Sequence, residues 1–520
     1  MRNFISTLLL FLACAISVFA QKGNFCGTTE LDAIKERLIS NKEYLKTHSV
    51  GERAIIWVPV KFHIIGKTDG TGAVREDQVL DMLCGMNEVY APIDIQFYIK
   101  DGFNYINNTS AATDPQSDAG NVQIKGKKVK SVLNMFLCQG FQKPGLLGYY
   151  TEGYPGYQND FLVIKKSEVK KGAYTAEHEL GHFFSLLHPF NGWEDNDYKV
   201  ATHGNPVNIL TAPNPSSVPP YNPIAIEFVD GSNCEFAGDL ICDTPASYNF
   251  PNDYWAGKNC TPMDNSVKDY HGDVVNPDES NIMDYFQECT DYHFSNTQKN
   301  LIVADLTNRT KTFGAQKITA TYVPNQAIIT EKVVAPNYPG NGDTISNFGD
   351  IGIDWDDVPG ATSYFVMVDV GSGFTFKPQS AIVTSSNWKP TGLLKNQKYY
   401  WLVYPFNERS SCGGLSVFNF TTGSWAVSTS EIKELNNWKI QPNPVVGGND
   451  IVINAQTIDA FDADVEVYDI AGRMAFNQAN TKFYAGDNQI RLTTQGLSAG
   501  LYIVKIKSKT GVSTQKLIVE

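Results

Sequence analysis

This chain has fewer basic than acidic residues, and it has few long apolar segments. The 520 residues contain 42 Lys and Arg against 55 Asp and Glu, which gives a formal net charge of −13 at pH 7. Nucleic acids and anionic membrane surfaces repel a chain of this charge, so we expect neither as a partner. Beyond residue 20 no apolar run is long enough to cross a bilayer, and we expect no integral membrane segment.

The one long apolar run lies at the N-terminus. Arg2 precedes an apolar stretch from Leu8 to Ala20, which has the form of a secretion signal. Cys14 suits a lipoprotein site poorly, because the apolar sequence continues past it. These features predict a signal peptide over residues 1–20 and a secreted, extracellular protein, either released or attached to the cell surface. A chain of 520 residues is also too long for one core, so we expect several domains.

The cysteines predict disulfide bonds. Nine are present, and eight remain if Cys14 leaves with the signal peptide. In an oxidising compartment such cysteines are expected to pair. Four of them crowd one loop-rich region and allow three connectivities: Cys234, Cys242, Cys260 and Cys289. Cys84 and Cys138 are candidates for a further pair, and Cys412 stands alone in a later domain.

Histidine is equally scarce, and its distribution is uneven. Three of the eight histidines occur in residues 178–188, which read HELGHFFSLLH. On a helix, His178 and His182 project from the same face and can bind one zinc ion, with Glu179 beside them as a base for water. His188 can join them if the helix ends before it and the chain turns back. Three protein ligands leave the fourth zinc position open for water.

The alternative is a surface helix that happens to carry two histidines. The residues around the motif oppose it, because five of them are large and apolar: Leu180, Phe183, Phe184, Leu186 and Leu187. Such a segment should be buried, and buried imidazole and carboxylate groups need partners. A shared metal ion meets that need, so the sequence favours a catalytic zinc site.

The string resembles the extended metzincin motif HExxHxxGxxH, in the form carried by the pappalysin family of metalloproteases. The resemblance implies a zinc-dependent endopeptidase with His178, His182 and His188 as ligands and Glu179 as general base. Ser185 stands at the family's glycine position, where the helix must end and the chain must turn. Serine in the left-handed conformation costs roughly 1 kcal/mol, which metal binding can offset.

A second segment reads NIMDY around Met283 and resembles the Met-turn of the same family. It implies that Met283 forms an apolar floor beneath the ligands and that Tyr285 lies near the zinc, where it can stabilise an oxyanion. Residues 57–65, WVPVKFHII, resemble the family's first strand. The resemblance implies an α/β (α+β) metzincin catalytic domain over residues 55–315, with a twisted mixed sheet and an active-site helix.

The resemblance also covers the cysteine-bearing residues 234–246. It implies two disulfide pairs among the four clustered cysteines, namely Cys234–Cys260 and Cys242–Cys289. The segment carries carboxylates as well, and hard oxygen ligands of this kind are those that calcium prefers. We therefore predict calcium at Asp239 and Asp243, with plain solvation of both as the alternative.

Two further residues are assigned roles. Glu288 follows the Met-turn, where the family's specificity pocket lies, and by charge complementarity it predicts a preference for Arg or Lys after the cleaved bond. Cys26 precedes a helical stretch over Leu31–Leu45, in a Cys-Gly-Thr sequence like those in pro-segments of related proteases. Its thiolate can occupy the fourth zinc position, so we predict a pro-segment over residues 21–54 with Cys26 as a latency switch. The alternatives are a structural disulfide and an idle thiol.

The order of elements supports an α/β catalytic half. Apolar strand-like runs alternate with helical ones at residues 57–65, 76–90, 93–99, 132–137, 160–164 and 171–184. This alternation predicts a mixed sheet covered by helices. Residues 192–280 are rich in Pro, Gly, Asn and Asp and lack periodicity, so we expect long loops there.

Two smaller domains are predicted to follow. Short alternating strands over residues 335–423 resemble a fibronectin type III domain. Residues 439–520 closely resemble the C-terminal sorting domain of type IX secretion cargo in Bacteroidetes. The resemblances imply two all-β sandwich domains and, besides protein or peptide substrates, the type IX secretion machinery as a partner.

Two other functions stay open. A gluzincin-like hydrolase would use a downstream glutamate instead of His188 as its third ligand. A non-catalytic adhesin would use a decayed protease scaffold; Ser185 favours decay, whereas the intact Glu179 speaks against it. Hydrolysis of a protein substrate that a zinc chelator abolishes separates the enzyme from the adhesin.

Overall fold

The computed structural model describes residues 26–29, 31–51, 53–152, 160–216, 221–250, 266–286, 289–311, 317–330, 333–376, 378–424 and 432–520. The predicted signal peptide (residues 1–20) and the predicted site residues Cys260 and Glu288 lie outside the described residues. The chain divides into two compact units: residues up to 330 together with 406–413, and residues 331–405 together with 414–520.

The first unit combines helices with a mixed sheet. Its helices are α1 (Leu31–Leu45), α2 (Glu76–Tyr90), α3 (Thr109–Thr113), α4 (Asp118–Lys125), α5 (Thr175–Phe183), α6 (Val200–His203) and α7 (Asn296–Lys311). Its strands are β1 (Ile56–Gly66), β2 (Ile95–Ile99), β3 (Asn104–Asn107), β4 (Leu133–Cys138), β5 (Gly148–Thr151) and β6 (Phe161–Lys165).

The sheet has the strand order β2-β1-β4-β6-β5, and β3 also pairs with β1. β1 runs parallel to β2, β3 and β4, and β4 runs parallel to β6, whereas β5 is antiparallel to β6. Every residue of β4 is buried, as expected for a central parallel strand covered on both faces. The mixed α/β architecture predicted from the sequence is confirmed, and β5 ends this strand order as an edge strand.

The helix bounds match the predicted ones where the apolar spacing is clear. They differ where positive φ angles or buried charged residues alter the pattern. α1 and α2 have the predicted bounds. α5 begins later than predicted, at Thr175, because Gly172 and Tyr174 have positive φ angles of 78° and 59°, which a right-handed helix excludes. α7 was not predicted, because its buried positions include Asp305 and Arg309, which obscure the apolar period.

The predicted disulfide pairing is wrong. Cys234 pairs with Cys242, with 5.0 Å between their Cα atoms, instead of Cys260, and Cys84 pairs with Cys412 instead of Cys138. Cys138 and Cys26 are free buried thiols, and Cys289 is disulfide-bonded. The cause is the path of the chain: Cys84 on α2 meets a cysteine 328 residues later, in residues 406–413, which group with the first unit. Sequence spacing carries no information about such a contact.

The remaining strands are all part of β-sheets. They are β7 (Pro336–Tyr338), β8 (Asp343–Thr344), β9 (Ile353–Trp355), β10 (Ser363–Asp369), β11 (Gln379–Val383), β12 (Asn387–Trp388), β13 (Lys398–Phe406), β14 (Ser416–Thr421), β15 (Leu435–Gln441), β16 (Asp450–Thr457), β17 (Phe461–Asp469), β18 (Met474–Phe483), β19 (Gly486–Thr493), β20 (Gly500–Ser508) and β21 (Val512–Val519).

These strands form two pairs of sheets. The first pair has the orders β11-β10-β13-β14-β8 and β12-β9-β7, and Trp355 and Trp401, one from each sheet, have ring centroids 6.2 Å apart in the core. The second pair has the orders β15-β16-β19 and β18-β17-β20-β21 around one apolar cluster. Among the described residues, no helix combines the length and apolar character needed to cross a membrane.

Candidate metal centre

The three predicted histidines meet at one point. His178 and His182 lie on α5, and His188 lies beyond its C-terminal end. The Nε2 atom of His188 is 3.0 Å from Nε2 of His182 and 3.2 Å from Nε2 of His178. All three side chains are buried. The structure therefore brings together the histidines that the sequence selects as metal ligands.

The chain reverses at Ser185. α5 ends at Phe183, and Ser185 has a φ angle of 69°, in the left-handed region. The amide of Leu186 donates a 2.9 Å hydrogen bond to the carbonyl of Gly181, a contact that a left-handed residue at a helix end permits. The helix ends where the sequence requires it to end, and the serine adopts the conformation usually left to glycine. This turn delivers His188 to the other two ligands.

Each helical imidazole is oriented by a hydrogen bond from its other nitrogen. Nδ1 of His178 donates to the carbonyl of Ile282 at 2.7 Å, and Nδ1 of His182 donates to the carbonyl of Leu186 at 2.8 Å. Because a carbonyl oxygen only accepts, both Nδ1 atoms carry the proton and both Nε2 atoms keep a lone pair for a metal. Burial lowers the pKa of His178 to about 4, which favours the neutral ring that metals bind.

Glu194 orients the third imidazole, a role that the sequence did not reveal. Its Oε1 atom lies 3.3 Å from Nδ1 of His188, and its Oε2 atom accepts a 2.8 Å hydrogen bond from the amide of Gly192. Burial raises the pKa of Glu194 to about 7. A carboxylate in contact with the outer nitrogen of a ligand histidine is a common partner of zinc sites. The signal available in the sequence was only an acidic residue six positions after His188.

Met283 packs against the helix that carries the first two ligands. A Cβ atom placed on Gly181 would lie 2.2 Å from the Sδ atom of Met283, so the absence of a side chain at Gly181 makes room for the methionine. Met283 is fully buried, and the carbonyl of its neighbour Ile282 is the one that orients His178. Met283 therefore packs directly against the ligand helix at Gly181, a role of this glycine that its sequence neighbours do not reveal, and a Met-turn at Met283 stays a prediction.

Tyr285 lies beside the histidines. Its ring centroid is 5.0 Å from that of His188 and 5.8 Å from that of His178. Its side chain is hydrogen-bonded to Cys26, and burial raises the pKa of the phenol well above its usual value. A phenol that stays protonated can donate a hydrogen bond to an oxyanion formed at the site.

Glu179 is fully buried next to the imidazoles. Its Oε2 atom accepts a 3.0 Å hydrogen bond from the hydroxyl of Thr28, while its Oε1 atom has no hydrogen-bond partner among the described residues. Burial raises the pKa of this carboxyl to about 8. An unpartnered buried carboxylate oxygen is costly unless another group reaches it. The arrangement suits a carboxylate that exchanges a proton with a water molecule at the site.

The segment around Cys26 covers the site. The Sγ atom of Cys26 is 3.4 Å from Nε2 of His182 and 3.6 Å from Oε2 of Glu179. The amide of Gly27 donates a 2.9 Å hydrogen bond to the carbonyl of Gly148 on the edge strand β5. Of the predicted alternatives for Cys26, a structural disulfide is wrong, because the thiol is free.

The four donor atoms fit a zinc ion. Cys26, His178, His182 and His188 each offer one ligand atom, and these atoms all lie within 4.8 Å of one another. The nearest pairs are 3.0 to 3.4 Å apart, against about 3.3 Å between nitrogens bound to tetrahedral zinc at about 2.0 Å. Three imidazoles and a thiol form a donor set that zinc favours, and calcium or magnesium does not.

A cavity of about 400 Å³ adjoins the ligand helix. Its lining includes His178, Glu179 and Tyr285 from the site, together with the aromatic rings of Tyr174 and Tyr292. The rings of Tyr174 and Tyr292 have centroids 4.3 Å apart. The site therefore opens into a space large enough for a side chain of a bound substrate.

The two predicted calcium ligands accept hydrogen bonds from the protein. Asp243 accepts from the hydroxyl of Ser295 at 2.7 Å and from the amide of Thr297 at 2.9 Å, at the start of α7. Asp239 is fully buried and accepts from the hydroxyl of Thr244 at 2.9 Å. Calcium binding at these residues stays a prediction.

A comparison with protein families matches the C-terminal segment. Residues 439–520 match the family described as secretion system C-terminal sorting domain. This match confirms the resemblance found in the sequence. Together with the extracellular relatives described next, it makes the chain a secreted or cell-surface protein.

Part of the chain is similar to proteins named extracellular metalloproteases. A protein of Colletotrichum graminicola named extracellular metalloprotease is 29% identical over 209 residues, which cover 37% of this chain and 74% of that protein. One of Verticillium alfalfae with the same name is 24% identical over 276 residues, 49% of this chain and 82% of that protein. An extracellular metalloprotease 1 of Coccidioides posadasii is 28% identical over 158 residues, 27% of this chain and 55% of that protein.

Solved structures add little about the fold. The FN1–FN3 domains of chicken CNTN1 are 13% identical, with 36% of this chain and 66% of that chain covered and a TM-score of 0.16. A Fn3-like protein from Clostridium thermocellum is 24% identical, with 18% and 97% covered and a TM-score of 0.13. At these TM-scores neither likeness carries an argument, so a fibronectin type III domain over residues 335–423 stays a prediction.

Proposed function

We propose that this chain is a secreted zinc-dependent endopeptidase of the pappalysin type, in which His178, His182 and His188 bind the metal. The observation that carries the proposal is the convergence of the three Nε2 atoms, 3.0 and 3.2 Å apart, beside the buried Glu179. The similarity to extracellular metalloproteases supports the same activity class. The sorting domain supports passage through the type IX secretion machinery.

The chemistry divides between the metal and two side chains. When bound, zinc would lower the pKa of a water molecule toward about 7 and polarise the carbonyl to be cleaved. Glu179 takes the proton as water attacks the carbonyl carbon, and later gives it to the departing amine. Its unpartnered Oε1 atom is available for this exchange. Tyr285, held protonated by burial, donates a hydrogen bond to the oxyanion.

The conformation described has the features of a latent precursor. Cys26 supplies a fourth donor to the metal site, and Thr28 occupies Oε2 of the general base. The same segment pairs with β5 through Gly27 and Gly148, along the edge that a peptide substrate would need. Cys26 therefore has to leave before a water molecule and a substrate can enter. Residues 21–54, which include α1, form the proposed pro-segment.

The substrate preference that we propose is a basic residue after the cleaved bond. The sequence supports this preference through Glu288, which lies outside the described residues. The lining of the adjoining cavity adds the carboxylates of Glu168 and Asp284, although Lys170 also lies there. Opposite charges across such a pocket would select Arg or Lys over acidic residues.

Calcium is proposed as a structural ion, with Asp239 as the better candidate of the two aspartates. Glu227 lies close to it, and burial together with the charge of Asp239 raises the pKa of Glu227 to about 9. The Oε2 atom of Glu227 has no hydrogen-bond partner among the described residues. Asp243 instead caps α7 through its hydrogen bonds to Ser295 and Thr297.

The gluzincin alternative finds no support in this geometry. It requires a carboxylate as the third ligand, whereas the described donor cluster consists of three imidazoles and a thiol. The adhesin alternative requires no general base, yet Glu179 is present and buried at the site.

Casein or gelatin hydrolysis tests the proposal. We expect the Cys26→Ala protein to cleave either substrate, to lose activity with a zinc chelator, and to regain it when zinc is restored. The matched control is Cys26→Ala combined with Glu179→Gln, which should bind zinc and cleave nothing. A zinc-loaded Cys26→Ala protein that cleaves neither substrate would favour the adhesin, and chelator-resistant cleavage would contradict a metal mechanism.

A further inference from the structure

Helix α1 contacts the turn that links the second and third metal ligands. Arg37 donates from Nη1 to the carbonyl of Phe183 at 3.1 Å and from Nη2 to the carbonyl of His182 at 3.2 Å. Asn41, one turn further along α1, donates from Nδ2 to the hydroxyl oxygen of Ser185 at 2.9 Å. Three of the four positions from 182 to 185 are therefore bonded to one face of α1.

These contacts involve backbone positions that are unfavourable by themselves, namely the end of a helix and a left-handed residue. The last carbonyls of a helix have no partner within the helix, and Arg37 supplies donors to two of them. Ser185 has a φ angle of 69°, in the left-handed region, which is sterically unfavourable for residues other than glycine. Its hydroxyl gives Asn41 an acceptor that glycine would lack. The serine that replaces the family's glycine at position 185 therefore forms a hydrogen bond with α1 that glycine could not form.

The donors on α1 are themselves held in place. Arg37 forms ion pairs with Glu152 at 2.8 Å and with Asp305 at 2.7 Å, and both carboxylates are buried. Asn41 also donates to Asp305 at 2.9 Å. Two carboxylates, of which Asp305 accepts from both Arg37 and Asn41, therefore fix the face of α1 that points at the turn.

A second arginine contacts the same helix end from α7. Arg309 donates from Nη2 to the carbonyl of Phe183 at 2.5 Å and pairs with Asp160 and Asp305. α7 lies outside the proposed pro-segment and would stay after maturation. Without α1, Arg309 alone would hold the helix end, and Ser185 would lose its bond from Asn41.

We propose that α1 is a positioning element for the metal centre: Arg37 and Asn41 hold the turn from His182 to His188 in the conformation that presents the third ligand. This inference rests on the proposed function, since it assigns a role toward the same metal. The N-terminal segment then has two separable actions. Its Cys26 blocks the metal, and its helix keeps the metal site formed while the precursor is exported.

Zinc release from the full-length precursor tests the inference. We measure zinc content and the rate of zinc transfer to a chromogenic chelator for Asn41→Ala, with Ser40→Ala as control because Ser40 is the exposed neighbour on the same helix. Asn41→Ala should release zinc about fivefold faster, the factor for a hydrogen bond of about 1 kcal/mol. Arg37→Ala should act in the same direction, but it also removes the ion pairs of Arg37 with Glu152 and Asp305 and is the harsher change.

A rescue separates positioning from general destabilisation. Ser185→Gly removes the strain of the left-handed conformation, so the double variant Asn41→Ala with Ser185→Gly should release zinc as slowly as the Ser40→Ala control. Equal release by Asn41→Ala and Ser40→Ala would overturn the inference, and so would failure of Ser185→Gly to restore slow release. A wild-type precursor that binds no zinc would overturn the proposed function itself, and with it this inference.

Discussion

The Sγ atom of Cys26 lies 3.4 Å from the Nε2 atom of His182, and the two residues are 156 positions apart in the chain. This contact joins the start of the described chain to the centre of the candidate metal site. It adds one sulfur donor to the three imidazole nitrogens, and all four atoms lie within 4.8 Å of one another.

Removal of the thiol should activate the precursor. In Cys26→Ala the fourth donor is absent, so water can reach the metal without cleavage of the chain. We expect freshly purified precursor to hydrolyse a quenched peptide, whereas the wild-type precursor should not, because a catalytic zinc site needs an open fourth position. Cys138→Ala is the matched control, because Cys138 on β4 is also a free buried thiol. A silent Cys26→Ala precursor with zinc bound would contradict the switch.

Neutralising the general base should abolish cleavage and leave the metal in place. In a Cys26→Ala background, Glu179→Gln should lower kcat by about 10²–10⁴-fold, the usual contribution of a general base. The control is Glu177→Gln on the same helix, where burial already raises the pKa of the carboxyl to about 7. Zinc content by atomic absorption should be equal in both variants. Retained activity in Glu179→Gln would eliminate the proposed mechanism.

Loss of the carboxylate behind the third ligand should weaken metal binding. Glu194→Ala removes the group that contacts Nδ1 of His188, so the imidazole loses its fixed orientation. We expect zinc affinity to fall about 10–100-fold, as measured by competition with a chelator of known affinity. Asp195→Ala, at the exposed neighbouring position, is the control. Equal affinities for the two variants would show that the contact does not orient the ligand.

A buried histidine away from the metal should make the first unit sensitive to acid. Both ring nitrogens of His63 are bonded, Nε2 to Oδ1 of Asn134 at 3.0 Å and Nδ1 to Nδ2 of Asn104 at 2.8 Å. Since the amide of Asn104 donates to Nδ1, the ring is neutral, and burial lowers the pKa of His63 to about 4. In the unfolded chain this pKa is about 6.5.

The sign of the pH effect follows from these two values. Between pH 6.5 and 4 the unfolded chain binds a proton at His63 that the folded chain does not, so stability falls as the pH falls. From pH 7 to pH 5 this residue should cost about 2 kcal/mol of unfolding free energy. Denaturant unfolding of His63→Gln should show a smaller acid loss than wild type, whereas the exposed control His48→Gln should behave like wild type. Equal acid losses in all three would refute the assignment.

Local features of the sequence predicted much of the site. The spacing of His178 and His182 fixes their common face on any helix, so their proximity needed no tertiary information. The requirement that the helix end near Ser185 came from the distance to His188, and the left-handed Ser185 meets it. The apolar runs also predicted the strands β1, β4 and β6, because most residues of β1 and β6 and all residues of β4 are buried.

Features set by long-range contacts could not be predicted. Glu194 contacts His188 only because of the path of an irregular loop, and its sequence neighbours carry no sign of that contact. The helix α7 could not be predicted from apolar periodicity, because Asp305 and Arg309 are buried as an ion pair and interrupt the apolar pattern on its buried face. The first case depends on the path of a loop, and the second on a partner distant in the chain, because Arg309 also pairs with Asp160.

Residue type and short spacing in the sequence were enough to select the three clustered histidines, the proposed base Glu179 and the strands and helices of the mixed sheet, because both features decide local geometry. Only the tertiary structure decided which cysteines pair, that Cys26 reaches His182, and that α1 binds the turn at Ser185. Apart from the Cys234–Cys242 bond, whose cysteines are 8 positions apart, these contacts join residues that are 144 to 328 positions apart. Their formation depends on how the whole chain packs, and no short stretch of sequence encodes that packing.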